Sequence, residues 1–265
     1  MKKIIILIST ILIGTVSLGG CGTKGSTNTE SKNLLSKIKS EGKIRIGTEG
    51  TYAPYTFHDM SGKLTGFDVE IAEEVAKRLG VEPEFIETKW DGMFAGLDAE
   101  RFDMIANQVG IKPDRLEKYD FSDPYIVSKA VLIVNRDDET IKSFEDLKGK
   151  KSAQSLTSNL AKIAETNGAV LQQVDSFNQA IGLLTSKRVD ATVNDSLSYL
   201  DLMKQKPDLA IKVVDEEENA QPSAVMFNKG NKELVDAVNK AITDMKADGT
   251  YEKISDKWFA SDVSK

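Results

Sequence analysis

Hydrophobic and polar positions along this chain switch between two periods. Lys43-Ile44-Arg45-Ile46-Gly47 alternates with period two and predicts a short strand. From Gly66 the period lengthens, so that Phe67, Ile71, Val75 and Leu79 share one helical face. Glu73/Lys77 and Glu74/Arg78 are i,i+4 pairs on the wet side of that helix, and Gly80 stops it. A strand around 84–87, a helix around 93–99 and a buried strand at 103–106 are predicted next. Further apolar runs at 131–134, 152–154, 170–174, 189–193, 210–214 and 224–227 predict strands. Between them, Ser143-Phe144-Glu145-Asp146 is a capping box for a short helix ending at Gly149, and Ser176-Phe177-Asn178-Gln179 is a second box. Helices are also predicted over 159–166, with Gly168 at the C′ position, and over 196–204. Two helices close the chain, the first carrying apolar Leu234, Val238, Ile242 and Met245, the second around 252–258. Strand and helix in alternation imply α/β architecture with mostly parallel sheets. No repeat of solenoid period is visible.

The first twenty residues follow neither period. Lys2 and Lys3 precede an apolar run from Ile4 to Leu18, and Gly19-Gly20-Cys21 ends it. A basic start, an apolar stretch and small residues before a cut site describe a secretory signal over 1–20. Ser9, Thr10 and Ser17 interrupt the run, which is short for a membrane span. Leu18-Gly19-Gly20-Cys21 also resembles a bacterial lipobox, and that resemblance makes Cys21 a lipidated N-terminus. Residues 22–33 lack aromatic and aliphatic side chains, so 21–40 is assigned to the lipidated Cys and a flexible tether.

Composition narrows the chemistry. The 265 residues are 40% hydrophobic and 29% charged, which suits one large globular domain or two modest ones. Formal charge is −6, and removal of residues 1–20 takes two lysines and no acid, bringing it to −8. That balance argues against a nucleic-acid partner. A single Cys and a single His leave no Cys/His metal cluster, and a serine triad would hang on His58 alone. Dinucleotide, P-loop and Gly-x-Ser-x-Gly motifs are absent from the sequence, so no cofactor, metal or catalytic residue is expected.

Several segments together resemble the extracellular solute-binding proteins of ABC importers for polar amino acids. They are Gly47-Thr48-Glu49-Gly50-Thr51-Tyr52-Ala53-Pro54-Tyr55, Gly66-Phe67-Asp68-Val69-Glu70, and Asp103 to Ile111 followed by Arg115 and Tyr119-Asp120-Phe121-Ser122-Asp123-Pro124-Tyr125. Leu147-Lys148-Gly149-Lys150-Lys151 and the stretch from Asp248-Gly249-Thr250 to Lys257-Trp258-Phe259 complete the likeness. Glu49-Gly50-Thr51-Tyr52, Thr88-Lys89-Trp90-Asp91-Gly92-Met93 and Asn107-Gln108-Val109 resemble the cystine-binding branch more narrowly. The resemblance implies a two-lobe periplasmic-binding-protein-like (type II) α/β fold joined by a two-strand hinge. It assigns 41–132 plus 224–265 to lobe 1 and 133–223 to lobe 2, with crossings near Val131–Asn135 and Gln221–Ala224.

The same resemblance implies site residues. A zwitterionic amino acid needs a cation for its carboxylate and an anion for its ammonium once the cleft shuts, because unpaired burial costs several kcal/mol, on the order of 2–7 for a polar group alone. The family pattern gives the carboxylate to Arg115, whose fork suits it. By itself Arg115, in Lys-Pro-Asp-Arg-Leu-Glu-Lys, reads as a solvated surface charge. Backbone donors are implied at Gly110 and at the helix start Ser158-Asn159, where Ser158 also reads as a plain N-cap. Asp195 matches the carboxylate for the ammonium and reads equally as a helix N-cap. Glu49 stands where the family often faces the ligand side chain, and a loop charge is its plain alternative. Tyr52 and Trp90 match positions that sandwich that side chain. Asn107 and Gln108 are assigned to the seam between the lobes, while Tyr55, Phe57 and Phe121 are read as core.

The expected function is therefore a substrate-binding lipoprotein of an ABC importer, with L-cystine as ligand and arginine, histidine or glutamine as alternatives. Its expected partners are the amino acid, an ABC permease and a lipid anchor, with a monomer on the extracytoplasmic face of the cell membrane. A dehydratase-like cleft enzyme and a surface amino acid sensor are the rival readings.

Overall fold

A computed structural model describes residues 33–264. The expected signal and Cys21 lie outside the described residues. Two mixed sheets organise the rest. In spatial order the first sheet runs Glu82–Glu87, Lys43–Thr48, Met104–Gly110, Gln221–Asn228 and Tyr119–Phe121, and Ile126–Ser128 also pairs with Gln221–Asn228. The second runs Val170–Gln173, Lys151–Gln154, Ala191–Asp195, Ala130–Asn135 and Ile211–Glu216. A small third sheet joins Thr51–Tyr52, Thr56–His58 and Leu64–Thr65.

The expected mostly parallel sheets are corrected to half-parallel ones. Glu82–Glu87, Lys43–Thr48 and Met104–Gly110 are parallel to one another, and Gln221–Asn228 runs against its neighbours. Likewise Val170–Gln173, Lys151–Gln154 and Ala191–Asp195 are parallel, while Ala130–Asn135 opposes both of its partners. The reason lies in the route of the chain. Ala130–Asn135 and Gln221–Asn228 are the strands by which the chain arrives from the other sheet, and each enters its new sheet from the cleft side, running opposite to the strands already there. The two passages fall at Lys129 and over 217–220, a few residues before the positions expected from sequence.

Side-chain alternation gives each sheet two covered faces. Met104 and Ala106 join one cluster with Ile44, Ile46, Val225 and Phe227, under the helices Phe67–Leu79, Lys232–Ala247 and Thr250–Phe259. Ile105, Val109 and Met226 face the opposite way, toward the helix Trp90–Asp98. In the second sheet Val131 and Ile133 point to one cluster, and Ala130, Leu132 and Val134 to another. Phe102 threads between two glycines: a Cβ on Gly47 would lie 2.6 Å from its ring and one on Gly96 2.7 Å.

Most element positions agree with the sequence reading to within a few residues, and three differences are instructive. The helix Leu34–Glu41 occupies the end of the segment assigned to the tether, capped by Asn33 and anchored by fully buried Ile38. The strand predicted at 103–106 continues to Gly110 through Asn107, polar yet fully buried, past an irregularity in its pairing with Gln221–Asn228. The second capping box is only half formed: Ser176 accepts the Gln179 N–H at 3.4 Å, but the Gln179 side chain accepts from Asp175 instead.

Candidate functional site

In both sheets the carboxyl ends of the parallel strands point to one region, the usual position of ligands in open α/β sheets. Glu49 and Tyr52 follow Lys43–Thr48, Trp90 follows Glu82–Glu87, and Asn107, Gln108 and Gly110 end Met104–Gly110. From the second sheet, Ser158 and Asn159 follow Lys151–Gln154, and Asp195 ends Ala191–Asp195. Three abutting cavities take in all of these residues and Arg115. The first is lined by Glu49, Tyr52, Trp90, Asn107, Gln108, Ser158 and Asn159 together with second-sheet residues. Asp195 and Gly110 line a second cavity with Tyr52, Gln108 and Asn159, and Arg115 lines a third with Phe94, Ser158 and Asn159. Asn159 touches all three.

Arg115 belongs to the short helix Pro113–Leu116 and is 5% exposed. Its guanidinium lies 5.6 Å from the centre of the Trp90 ring and 5.0 Å from that of Phe94, and it donates to the Gly110 carbonyl at 2.9 Å. No carboxylate among the described residues forms an ion pair with it, and burial pushes its pKa down. A buried cation held by aromatic faces and one carbonyl is a site for an anion. The indole N–H of Trp90 is likewise buried without an acceptor.

Asp195 caps the helix Ser196–Gln205. Its Oδ1 accepts the backbone N–H of Leu197 at 2.9 Å and of Ser198 at 3.2 Å, and also the Tyr55 hydroxyl. Ser128 donates to Oδ2. A carboxylate oxygen has two lone-pair directions, so Oδ2 keeps one acceptor position. Burial raises the Asp195 pKa. Tyr55, read as core, has its ring there but its hydroxyl on Asp195.

Glu49 is pushed up to about 7, first by burial and further by the Asp91 charge, against a hydrogen bond from Asn107. Gln108 adopts a left-handed backbone, with φ +51°, and Asp68 holds it there. The buried Asp68 carboxylate accepts the Gln108 backbone N–H at 2.8 Å and its side-chain amide at 2.7 Å. Burial lifts the Asp68 pKa to about 7 as well. The Ser158 oxygen accepts the Ala161 N–H at 2.9 Å and keeps its own O–H to donate, the Ser158 N–H goes to the Ser155 carbonyl at 3.1 Å, and the Asn159 N–H is a further donor of that helix start.

Hydrogen bonds run directly from one sheet's side of the cleft to the other. Tyr52 donates to Asn194 at 2.9 Å and Ser198 to the Ala53 carbonyl at 2.9 Å. Thr157 donates to Asp91 through its N–H at 3.0 Å and its hydroxyl at 2.8 Å. The cleft is closed.

Residues 44–261 match the family described as bacterial extracellular solute-binding proteins, family 3. The chain belongs to that family. It is a solute-binding protein and not an enzyme, with the two-lobe type II fold of its structural neighbours. The L-cystine-binding protein TcyA of Bacillus subtilis (strain 168) is 47% identical over 270 residues, covering 100% of both chains. The L-cystine solute receptor of Neisseria gonorrhoeae, in an unliganded open conformation, is 47% identical with a TM-score of 0.59, covering 88% of this chain and 99% of that one. An ancestral arginine-binding protein bound to arginine is 40% identical with a TM-score of 0.78, covering 82% of this chain and 98% of that one. Higher geometric likeness at lower identity fits the hydrogen bonds across the cleft: this solute-binding protein has the arrangement of a ligand-bound relative.

Sequence reasoning missed much of the second-sheet wall. Gln154, Ser155, Val174, Ser176, Phe177, Thr192 and Asn194 line the first cavity. Their signal was available: each lies on or just beyond a strand of the second sheet, near the carboxyl ends where the first-sheet site residues also fall.

Proposed function

We propose that this solute-binding protein encloses one amino acid between its two lobes, L-cystine before other candidates, and delivers it to an ABC permease in the membrane. The buried guanidinium of Arg115 carries this reading, because it asks for a carboxylate that none of the described residues supplies as an ion-pair partner. The Asn159 backbone N–H and the Ser158 hydroxyl reinforce that end. The open lone pair of Asp195 Oδ2 suits the α-ammonium, which its raised pKa does not prevent, since a bound cation draws the proton off. Tyr52 and Trp90 offer faces to a disulfide, and Glu49 offers a carboxylate to the second ammonium of cystine. The names of the relatives support cystine over arginine, histidine or glutamine. The lobes divide at Lys129 and over 217–220, a few residues before the bounds 41–132 plus 224–265 and 133–223 expected from sequence, and ligand shifts the population toward closure about the strands that cross between them. Residues 1–20 direct export, and lipidated Cys21 holds a monomer to the extracytoplasmic face of the cell membrane.

A thermal-shift screen of the full chain, freed of ligand by refolding, tests the reading. Ligand at about 100 times its dissociation constant adds about 2.7 kcal/mol, a shift of several degrees. A shift with L-cystine alone is expected. A shift with another amino acid discards cystine, and none with any of them discards the site.

A further inference from the structure

The Thr88-Lys89-Trp90-Asp91-Gly92-Met93 motif supplies Trp90 to the ligand cavity, but its two charged neighbours have other business. Asp91 Oδ1 accepts from the Thr157 N–H and hydroxyl, and Asp91 Oδ2 accepts from the Gln173 side chain at 3.2 Å. Lys89 pairs with Asp175 at 2.7 Å. Asp91 and Lys89 come from the start of the helix Trp90–Asp98 and the residue before it, and two of their three partners, Thr157 and Asp175, from loops that follow second-sheet strands. Gln173 is itself the last residue of its strand.

A pattern of neighbours ties these bonds to the cavity. Lys89 and Asp91 flank Trp90, Thr157 precedes Ser158, and Gln173 and Asp175 flank Val174. Trp90, Ser158 and Val174 line the first cavity; none of the five bonded residues does. Alternate residues therefore turn inward to the ligand space and outward to one another across its mouth. The other direct bonds across the cleft, from Tyr52, Tyr55 and Ser198, involve Ala53 and the Asn194-Asp195 strand end, beside the passage at Lys129. These two groups clamp different sides.

We propose that Asp91 and Lys89 form a clasp over the mouth of the cleft that holds the closed form, and so set how long ligand stays bound rather than which ligand is bound. The proposal rests on the reading of the cavity as an amino acid site. A closed-state contact absent from the open state shifts only the closing equilibrium, so its loss appears in the dissociation rate. Asp91 accepts three hydrogen bonds as a charged group and carries the larger share; the exposed Lys89–Asp175 pair carries less and is screened by salt.

Stopped-flow binding on the full chain, with L-cystine and the standard L-amino acids as probes, tests this. Asp91→Ala should raise the dissociation rate about tenfold, with association within about twofold, the ligand preference unchanged and the ligand-free melting temperature within a degree or two. Thr157→Ala, which removes only a hydroxyl, should raise it about threefold and add little in the Asp91→Ala background. Lys89→Asp should accelerate dissociation about threefold, and the swap with Asp175→Lys should restore it. Unchanged dissociation in Asp91→Ala, or independent effects of Asp91 and Thr157, overturns the clasp while leaving the site. A wild-type chain that binds none of the probes overturns both.

Discussion

Asn107 holds Glu49 from both sides: its amide nitrogen donates to the Glu49 carboxylate at 2.7 Å, and its oxygen accepts the Glu49 backbone N–H at 2.8 Å. The side-chain amide is thereby oriented, and the acid is fixed at the cavity wall. With its pKa raised from 4.5 to about 7, Glu49 favours the folded state fully below pH 4.5 and loses that contribution as pH rises through about 7. Asp68 acts with the same sign, from an ordinary value of 3.8 to about 7. The melting temperature of the ligand-free protein should therefore fall between about pH 5 and pH 8. Glu49→Gln should flatten part of that slope, leaving the share of Asp68, as scanning calorimetry across the range would reveal.

Ligand binding should be linked to a proton at the same residue. An ammonium beside Glu49 stabilises its ionised form, so the carboxyl gives up a proton on binding near pH 6.5. Titration calorimetry in two buffers of different ionisation enthalpy should show release in the wild type and none in Glu49→Gln. Equal heats in both buffers for the wild type would mean that no cation reaches Glu49.

Arg115→Ala should remove detectable binding, since the ligand carboxylate is left buried without a partner. Arg115→Lys keeps the charge but not the fork, and should weaken binding at least about tenfold. Retained affinity in Arg115→Ala would take the guanidinium out of the site.

Asp195 has two duties that one substitution separates. Asn is as good an N-cap as Asp, so Asp195→Asn should leave urea stability within about 1 kcal/mol. Its binding should still weaken at least about tenfold, because the anion facing the ammonium is gone. Unchanged affinity would make Asp195 a cap alone.

Gly47→Ala drives a methyl into the Phe102 ring, 2.6 Å away. Overpacking of this kind costs about 1–3 kcal/mol, measurable as a lower urea midpoint at constant slope.

Legibility in the sequence tracked how local the cause was. Helix Phe67–Leu79 was readable because Gly66 and Gly80 bound it and four apolar residues at helical spacing lie within it. Helix Leu34–Glu41 was not: it owes its stability to Ile38 packing into the first core, and its own sequence is short and polar. The buried amide of Asn107 hid the end of a strand because a polar letter interrupts an apolar run. Arg115 and Asp195 came from resemblance rather than pattern. What makes Arg115 exceptional is the pairing of Trp90 and Phe94 beneath it, a tertiary fact. Tyr55 was half readable, its ring belonging to the core and its hydroxyl to Asp195. The second-sheet wall was missed because its members are plain amides, hydroxyls and apolar groups with no local mark.

The route of the chain bears on how this protein is made. Residues 130–216 supply every strand of the second sheet without interruption, whereas the first sheet needs Gln221–Asn228 between Met104–Gly110 and Tyr119–Phe121. During synthesis from the N-terminus, the second sheet has all its strands as soon as residue 216 has emerged. The earlier half must wait as an incomplete sheet with an unpaired edge on Met104–Gly110, until a strand made more than a hundred residues later slots into its middle. Such a delay makes completion of the first sheet a late, long-range step of folding, taken after the second sheet has all its strands.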